Sequence, residues 1–163
     1  MRQRKVKHLD EKLQAVSRFM VEDPSPEVWK EVFGGAGSDR AGAGAGNDRT
    51  RAGRPLYLEI GCGRGDFLLQ QALAHPEADF IGIEGQASVV LRAMEKAAAA
   101  EAAGGAPEAA GAGQVEPAGS AAGLCENLRF ACAFVNGLEE LFEPGSLSGI
   151  SRPVFSPFRG ALR

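Results

Sequence analysis

The chain has 163 residues, is 44% hydrophobic and carries a formal net charge of −3; this fits one domain and excludes wholesale electrostatic attraction to nucleic acid, while leaving room for a local basic patch. Its three cysteines, at 62, 125 and 132, lack CxxC spacing and exclude a disulfide framework or a zinc site. A charged N-terminus without an apolar signal region, and the lack of any 18-residue apolar run, mark the chain as soluble and cytoplasmic.

The first twelve residues set Arg2, Arg4, Lys5, Lys7 and Lys12 against Asp10 and Glu11. From Leu9 the apolar positions Leu9, Leu13, Val16 and Met20 recur at helical spacing. The basic residues therefore precede and flank a short amphipathic helix, which Asp23-Pro24-Ser25-Pro26 stops. On the residues alone, this start reads equally well as a solvated tail or as a contact for a polyanion. A second short helix, around Glu27 to Phe33, can dock Trp29 and Phe33. From Gly34 to Gly53, twelve of twenty residues are Gly or Ala, a composition that buries too little apolar surface to order itself and reads as a flexible linker.

Leu56-Tyr57-Leu58-Glu59-Ile60 reads as a buried strand running straight into the turn Gly61-Cys62-Gly63-Arg64-Gly65. Asp66 then suits the N-cap of a helix over Phe67 to Ala74 that ends before Pro76. Asp79-Phe80-Ile81-Gly82-Ile83-Glu84 is a second apolar strand ending on an acid, with a helix around Ala87 to Lys96 after it. Ala97 to Gly123 holds nineteen Gly or Ala residues out of twenty-seven; its first alanines extend the preceding helix, and the remainder is expected to be disordered. Neither Gly/Ala-rich stretch carries chemistry, and such loops are tolerated because closure entropy rises slowly with length. Leu128 to Val135 makes a third strand, followed by Asn136 and a short turn of helix over Leu138 to Phe142.

A strand, a glycine turn, a helix and a second strand tipped by a carboxylate form one nucleotide-binding half of a doubly wound α/β sheet. The glycines fall as G-x-G-x-G, so the third is one position early for the dinucleotide pattern. Glu59, two residues before the loop, suits a ligand with a cationic group such as the ammonium and sulfonium of S-adenosylmethionine, and suits two phosphates poorly. Glycines are needed because a Cβ would block close approach of backbone to ligand. Glu84 is placed to accept hydrogen bonds from two ribose hydroxyls. Cys62 reads as a small buried residue, not a nucleophile. Asn136 can donate and accept, which suits an adenine edge, although a turn-forming role serves as well on the residues alone.

This constellation resembles the class I S-adenosylmethionine-dependent methyltransferases. The wording LEIGCGRGDF, HPEADFIGIE and NLRFACAFVNGLEELF, together with the opening MRQRKVKHLDEKL, is similar to the bacterial tRNA (guanine-N7)-methyltransferases. The likeness runs from Met1 to Ser151, apart from the two Gly/Ala-rich stretches. It implies a Rossmann-like sheet with flanking helices and S-adenosyl-L-methionine as cofactor, held by Glu59, Gly61, Gly63, Gly65, Glu84 and Asn136. It also implies tRNA as partner, reached by Arg2, Arg4, Lys5 and Lys7, with no metal, no membrane, and a monomeric or weakly dimeric chain. The expected division is a basic N-terminal helical arm over 1–33, the linker 34–53, a cofactor-binding domain over 54–150 with its disordered insertion 97–123, and an atypical tail over 151–163.

The resemblance stops near Ile150. The family pattern calls for a fourth strand leading to an Asp-Pro-Trp-Pro motif and then basic residues, which supply the reacting site and the rest of the RNA surface. This chain instead reads Ser151 to Arg163, with three Arg, two Pro and no acid in thirteen residues. That is the expectation for a shifted reading frame or an abnormal terminus, and it leaves the catalytic residue unassigned. Pro153 would also remove a ladder bond from a central strand. An open sheet of roughly four strands leaves apolar edges uncovered, so the chain is expected to be truncated, poorly stable and inactive alone.

Guanine N7 carries a lone pair and no proton, so methyl transfer from a sulfonium needs no general base. Catalysis would rest on alignment of N7, methyl carbon and sulfur and on accommodating the charge that moves to the base. His8 and His75 therefore read as surface residues. Three other readings stand beside this one. They are a class I methyltransferase acting on a small molecule or protein, a non-catalytic S-adenosylmethionine- or RNA-binding remnant, and, last, a nicotinamide dehydrogenase.

Overall fold

The computed structural model describes residues 6–33, 54–104 and 125–152. The linker 34–53, most of the insertion 97–123, the tail from Pro153 and the basic residues Arg2, Arg4 and Lys5 lie outside them. The elements are α1 (Leu9–Ala15), a 3₁₀ turn (Ser17–Phe19), β1 (Met20–Val21), α2 (Pro26–Phe33), β2 (Leu56–Ile60), α3 (Asp66–Ala74), β3 (Asp79–Glu84), α4 (Ala87–Ala102), β4 (Leu128–Cys132) and β5 (Gly149–Ser151).

The strands form one sheet in the order β1-β4-β3-β2-β5, and every pairing is parallel. A parallel sheet of this kind is covered on both faces, so its central strands carry continuous apolar runs. β3 shows this best, with Asp79 to Ile83 all buried. Strand alternation divides the core. Phe80, Leu128 and Phe130 face Leu68, Ala72, Val90 and Met94 of α3 and α4, whereas Leu58, Ile81, Ile83 and Ala131 face Trp29 and Phe33 of α2.

The N-terminal segment is woven into both layers. Phe19 is buried with the α3–α4 core, Val21 with the opposite one, and β1 between them pairs with β4 through Met20↔Phe130 and Val21↔Ala131. The helical stripe expected to run to Met20 therefore ends at Ala15, because the next residues are used to turn the corner at the sheet edge. Trp29 stacks on Phe142 at 5.8 Å between ring centroids and on Phe33 at 6.2 Å, while Lys30 pairs with Glu143. α2 and the turn over 138–142 are thereby locked together. That turn closes through Phe142 N–H on the Leu138 carbonyl at 2.8 Å.

Two further boundaries differ from expectation. β4 stops at Cys132, not Val135, because its neighbour β3 ends at Glu84, the register partner of Cys132; the Glu84 carbonyl accepts one last bond, from Ala133 N–H at 3.2 Å. Gly65, not Asp66, is the N-cap of α3, with φ 68°; Asp66 sits in the first helical turn, favoured there by the helix dipole, and pairs with Lys96 of α4. As expected from their helix propensity, the alanines after Lys96 extend α4, which runs to Ala102. The sheet has five strands because β1 adds one edge and β5 pairs with β2 on the other side.

The end of the sheet where the strands begin is pinned by polar groups. The buried side-chain amide of Asn127 donates to the carbonyls of Ala72, His75 and Ala78 at 2.9–3.1 Å, tying the end of α3 to the start of β4. Arg54 bonds to the carbonyls of Pro76, Glu77 and Ala78 and pairs with buried Asp79.

Trp29 is the single tryptophan, and its burial against the sheet makes it a reporter of the whole fold. Unfolding followed by Trp29 fluorescence and by far-ultraviolet dichroism should give coincident transitions. Trp29→Ala should destabilise the chain by about 3–5 kcal/mol. A fluorescence transition that precedes loss of the sheet would show the N-terminal segment to be a separable arm.

Candidate cofactor-binding site

β2 and β3 run in register from Leu56↔Asp79 to Ile60↔Ile83, so their C-terminal ends finish level. From β2 the chain passes to β3 and β4 on one side and returns to β5 on the other. The ends of β2, β3 and β5 therefore bracket the crevice at a topological switch point, where open α/β sheets take their ligands.

The loop after β2 is fixed over that crevice by backbone hydrogen bonds. Both Gly61 N–H and Cys62 N–H reach the Ile83 carbonyl, at 2.7 and 3.2 Å. Gly61, Gly63 and Gly65 all hold φ between 56° and 72°, a region costly for side chains with a Cβ. Two of them serve different ends. At Gly65 a Cβ would lie 2.8 Å from Ala93 Cβ and 3.2 Å from the Phe130 ring, so the loop packs onto α4 only without one. At Gly63 nothing lies within 4 Å, so the bare backbone faces open space and a ligand can approach it.

The two carboxylates frame this loop. Glu84, half-buried at the tip of β3, accepts Gly63 N–H on Oε2 and Gln86 N–H on Oε1, each at 3.2 Å. These bonds orient the carboxylate and leave each oxygen with unused acceptor capacity. Glu59 is only 6% exposed, and its Oε2 is buried without a hydrogen-bond partner. Burial pushes its carboxyl up to about 7. The Cys62 thiol is raised to about 12 by burial first, then by the Glu59 and Glu84 charges, which removes it as a nucleophile at neutral pH. Among the described residues no group of three His, Cys, Asp or Glu side chains is placed to hold a metal ion.

The structure thus brings Glu59, the three glycines and Glu84 together. Asn136 lies four residues beyond β4, exposed, and no hydrogen bond joins it to either carboxylate. Lys7 is exposed beside α1; Arg2, Arg4 and Lys5 fall outside the described residues. His75 follows α3 near the opposite end of the sheet, where it contacts Glu77.

Sequence reasoning passed over Phe134. Its ring is 81% exposed yet lies against the backbone just past Glu84, since a Cβ built on Gly85 would come 2.5–2.9 Å from three of its atoms. Its signal is an aromatic two residues before Asn136, which a third strand drawn to Val135 hides within the strand.

Glu59 gives the ligand-free chain a distinct pH response. Its carboxyl is raised in the folded state above the ordinary 4.5, so the folded form holds a proton that the unfolded form loses. Stability is therefore highest below pH 4.5 as far as this group is concerned and declines as pH rises through 7, by about 3 kcal/mol in all. Glu59→Gln should abolish this decline and stabilise the chain at pH 8, as read from melts of both proteins at pH 5 and pH 8. Identical pH profiles would show that the carboxyl is not strained by burial.

A family model described as a putative methyltransferase matches residues 53–156, from just before β2 to just past β5. The chain is 34% identical over 98 residues to the tRNA (guanine-N(7)-)-methyltransferase of Geobacillus thermodenitrificans, covering 59% of this chain and 38% of that protein. It is 55% identical over 47 residues to the protein of the same name from Halalkalibacterium halodurans, 29% of this chain and 21% of that one. It is 35% identical over 98 residues to the one from Streptococcus uberis, again 59% and 38%. The chain spans well under half the length of these curated relatives. The family match, in contrast, takes in the loop, both carboxylates and four of the five parallel strands, and with it the chain belongs to the putative methyltransferase family.

Proposed function

We propose that this chain binds S-adenosylmethionine at the ends of β2 and β3 and serves methyl transfer to N7 of a guanine in tRNA. The observation that carries the cofactor assignment is the buried, unpartnered Glu59 oxygen directly beneath a glycine loop that Glu84 braces. A buried carboxylate without a partner is costly, and a ligand ammonium supplies the charge and the N–H donors it lacks. The open backbone at Gly63 and the outward acceptor capacity of Glu84 suit a nucleoside whose ribose presents two hydroxyls. The donor set therefore fits the cofactor. A second phosphate group, as in a dinucleotide, would meet two carboxylates instead.

In this arrangement Glu59 holds the amino-acid ammonium, Glu84 holds the ribose, and Phe134 with Asn136 receives the base beyond the end of β4. Phe134 offers a face for stacking, and Asn136 offers a donor and an acceptor for the base edge. When bound, the cofactor supplies a methyl group on an electrophilic sulfonium. N7 needs no deprotonation, so the work of the chain is to orient the donor and keep it still. No histidine is required, in accord with His75 lying away from the loop.

The tRNA assignment is supported by the names of the similar proteins and by the basic start, where Lys7 with Arg2, Arg4 and Lys5 would contact phosphates. The segment 54–150 is the cofactor-binding domain in this reading, and β1 adds an edge strand to its sheet. Among the described residues no helix is long and apolar enough to cross a membrane.

Titration calorimetry with S-adenosylmethionine tests the assignment. Saturable binding is expected. Glu84→Ala should weaken it about 10–100-fold through lost hydrogen bonds to a charged group, and Phe134→Ala should weaken it about 2–10-fold through lost stacking. A folded chain that binds nothing, or that binds equally well without Glu84, contradicts the proposal.

A further inference from the structure

The buried state of Glu59 has a bearing on when the site accepts its ligand, and this rests on the cofactor reading above. Glu59 is buried, and its register partners on the neighbouring strands are Gly82 of β3 and Ser151 of β5, neither of which can neutralise a charge. The titratable and charged groups on the elements about it are Tyr57 on β2, Cys62 and Arg64 in the loop, Glu84 at the end of β3 and Asp66 at the start of α3, and burial alone raises the Glu59 carboxyl. Asp66 is paired with Lys96 of α4, Arg64 is exposed, and Cys62 stays a neutral thiol at physiological pH. No cation among the described residues pairs with Glu59, and its Oε2 has no donor.

We infer that ligand capture at this site is a proton exchange, in which Glu59 is held as the neutral acid in much of the free chain and gives its proton to solvent as the ligand ammonium enters. The O–H bond of the Glu59 carboxyl breaks, the proton leaves to buffer, and the ammonium keeps its own three protons and donates to the resulting carboxylate. The ammonium is the matching group because it carries N–H donors, whereas a sulfonium carries none and would leave the oxygen without a hydrogen bond. A carboxyl held near 7 by burial places the exchange in the physiological range, so the site would load better as pH rises.

The experiment is calorimetry of the full chain with S-adenosylmethionine, repeated in buffers of different ionisation enthalpy, which counts protons released per ligand bound. Starting from a carboxyl near 7, close to one proton should leave at pH 6 and about half a proton at pH 7, with affinity about eightfold tighter at pH 7.5 than at pH 6. S-adenosylhomocysteine keeps the ammonium and lacks the sulfonium charge, and it should release the same number. Glu59→Gln should bind more weakly with no buffer dependence at any of these pH values. Binding of wild-type chain with no proton released, or release that persists in Glu59→Gln, overturns the inference while leaving the site assignment standing. A folded chain that does not bind overturns the assignment and the inference with it. Release by S-adenosylmethionine but not by S-adenosylhomocysteine would contradict the ammonium as the partner.

Discussion

The Ile83 carbonyl accepts both Gly61 N–H and Cys62 N–H, and the candidate site depends on that shared acceptor. It fixes the first turn of the loop onto the end of the adjacent strand, so that Gly63 arrives within reach of Glu84. Glu59 and Glu84 are twenty-five positions apart in sequence. The parallel register of β2 and β3 places both at the same end of the sheet, one enclosed below the loop and one beside it. A loop that did not take the left-handed conformation at three glycines could not make these bonds without moving Gly65 off Ala93 and Phe130. Close packing of α4 against the loop and ligand access at Gly63 are thus two results of one backbone path.

The fold around the site is assembled from distant pieces of chain. The strands β2, β3 and β4 with α3 and α4 make the central layer, but one side of their sheet is covered by α2 and the turn at Phe142. Those two come from opposite ends of the described chain and meet through the Trp29–Phe142 stack and the Lys30–Glu143 pair. The aromatic contact contributes more than the exposed ion pair, because surface pairs are worth little. Opposite the site, Asn127 and Arg54 satisfy the carbonyls of the 72–78 turn, so the backbone polar groups of that tight connection are not left without partners.

Much of this was legible in the sequence because each signal was local and redundant. The strands Leu56–Ile60 and Asp79–Glu84 lie where their apolar runs, closed by glycines and an acid, predict them. Glu59 and Glu84 were recognisable because the strands that carry them were. The misreadings share a cause, in that tertiary contacts overrode a local rule. Met20 continues a helical stripe, yet a free edge on β4 draws it and Val21 into the sheet. Asp66 is a good N-cap by type, yet Gly65 alone can fit beneath Ala93. Val135 is apolar and β-branched, yet the strand ends three residues earlier because β3 has run out. Phe134 was lost to that same error, and an aromatic exposed at a strand end is visible only once the end is known. The consequence of burying Glu59 could not be read from its position at all, since it depends on neighbours that a sequence does not name.

In the proposed function the ligand sits where the loop, the tip of β3 and the segment after β4 converge. Backbone hydrogen exchange of the full chain with and without S-adenosylmethionine tests this most directly. Added protection is expected only at Gly61–Asp66, Glu84–Gln86 and Ala133–Asn136. Protection elsewhere, for instance along the groove between α3 and β5 lined by Tyr57, Phe67 and Ile150, with these three segments unchanged, would contradict it.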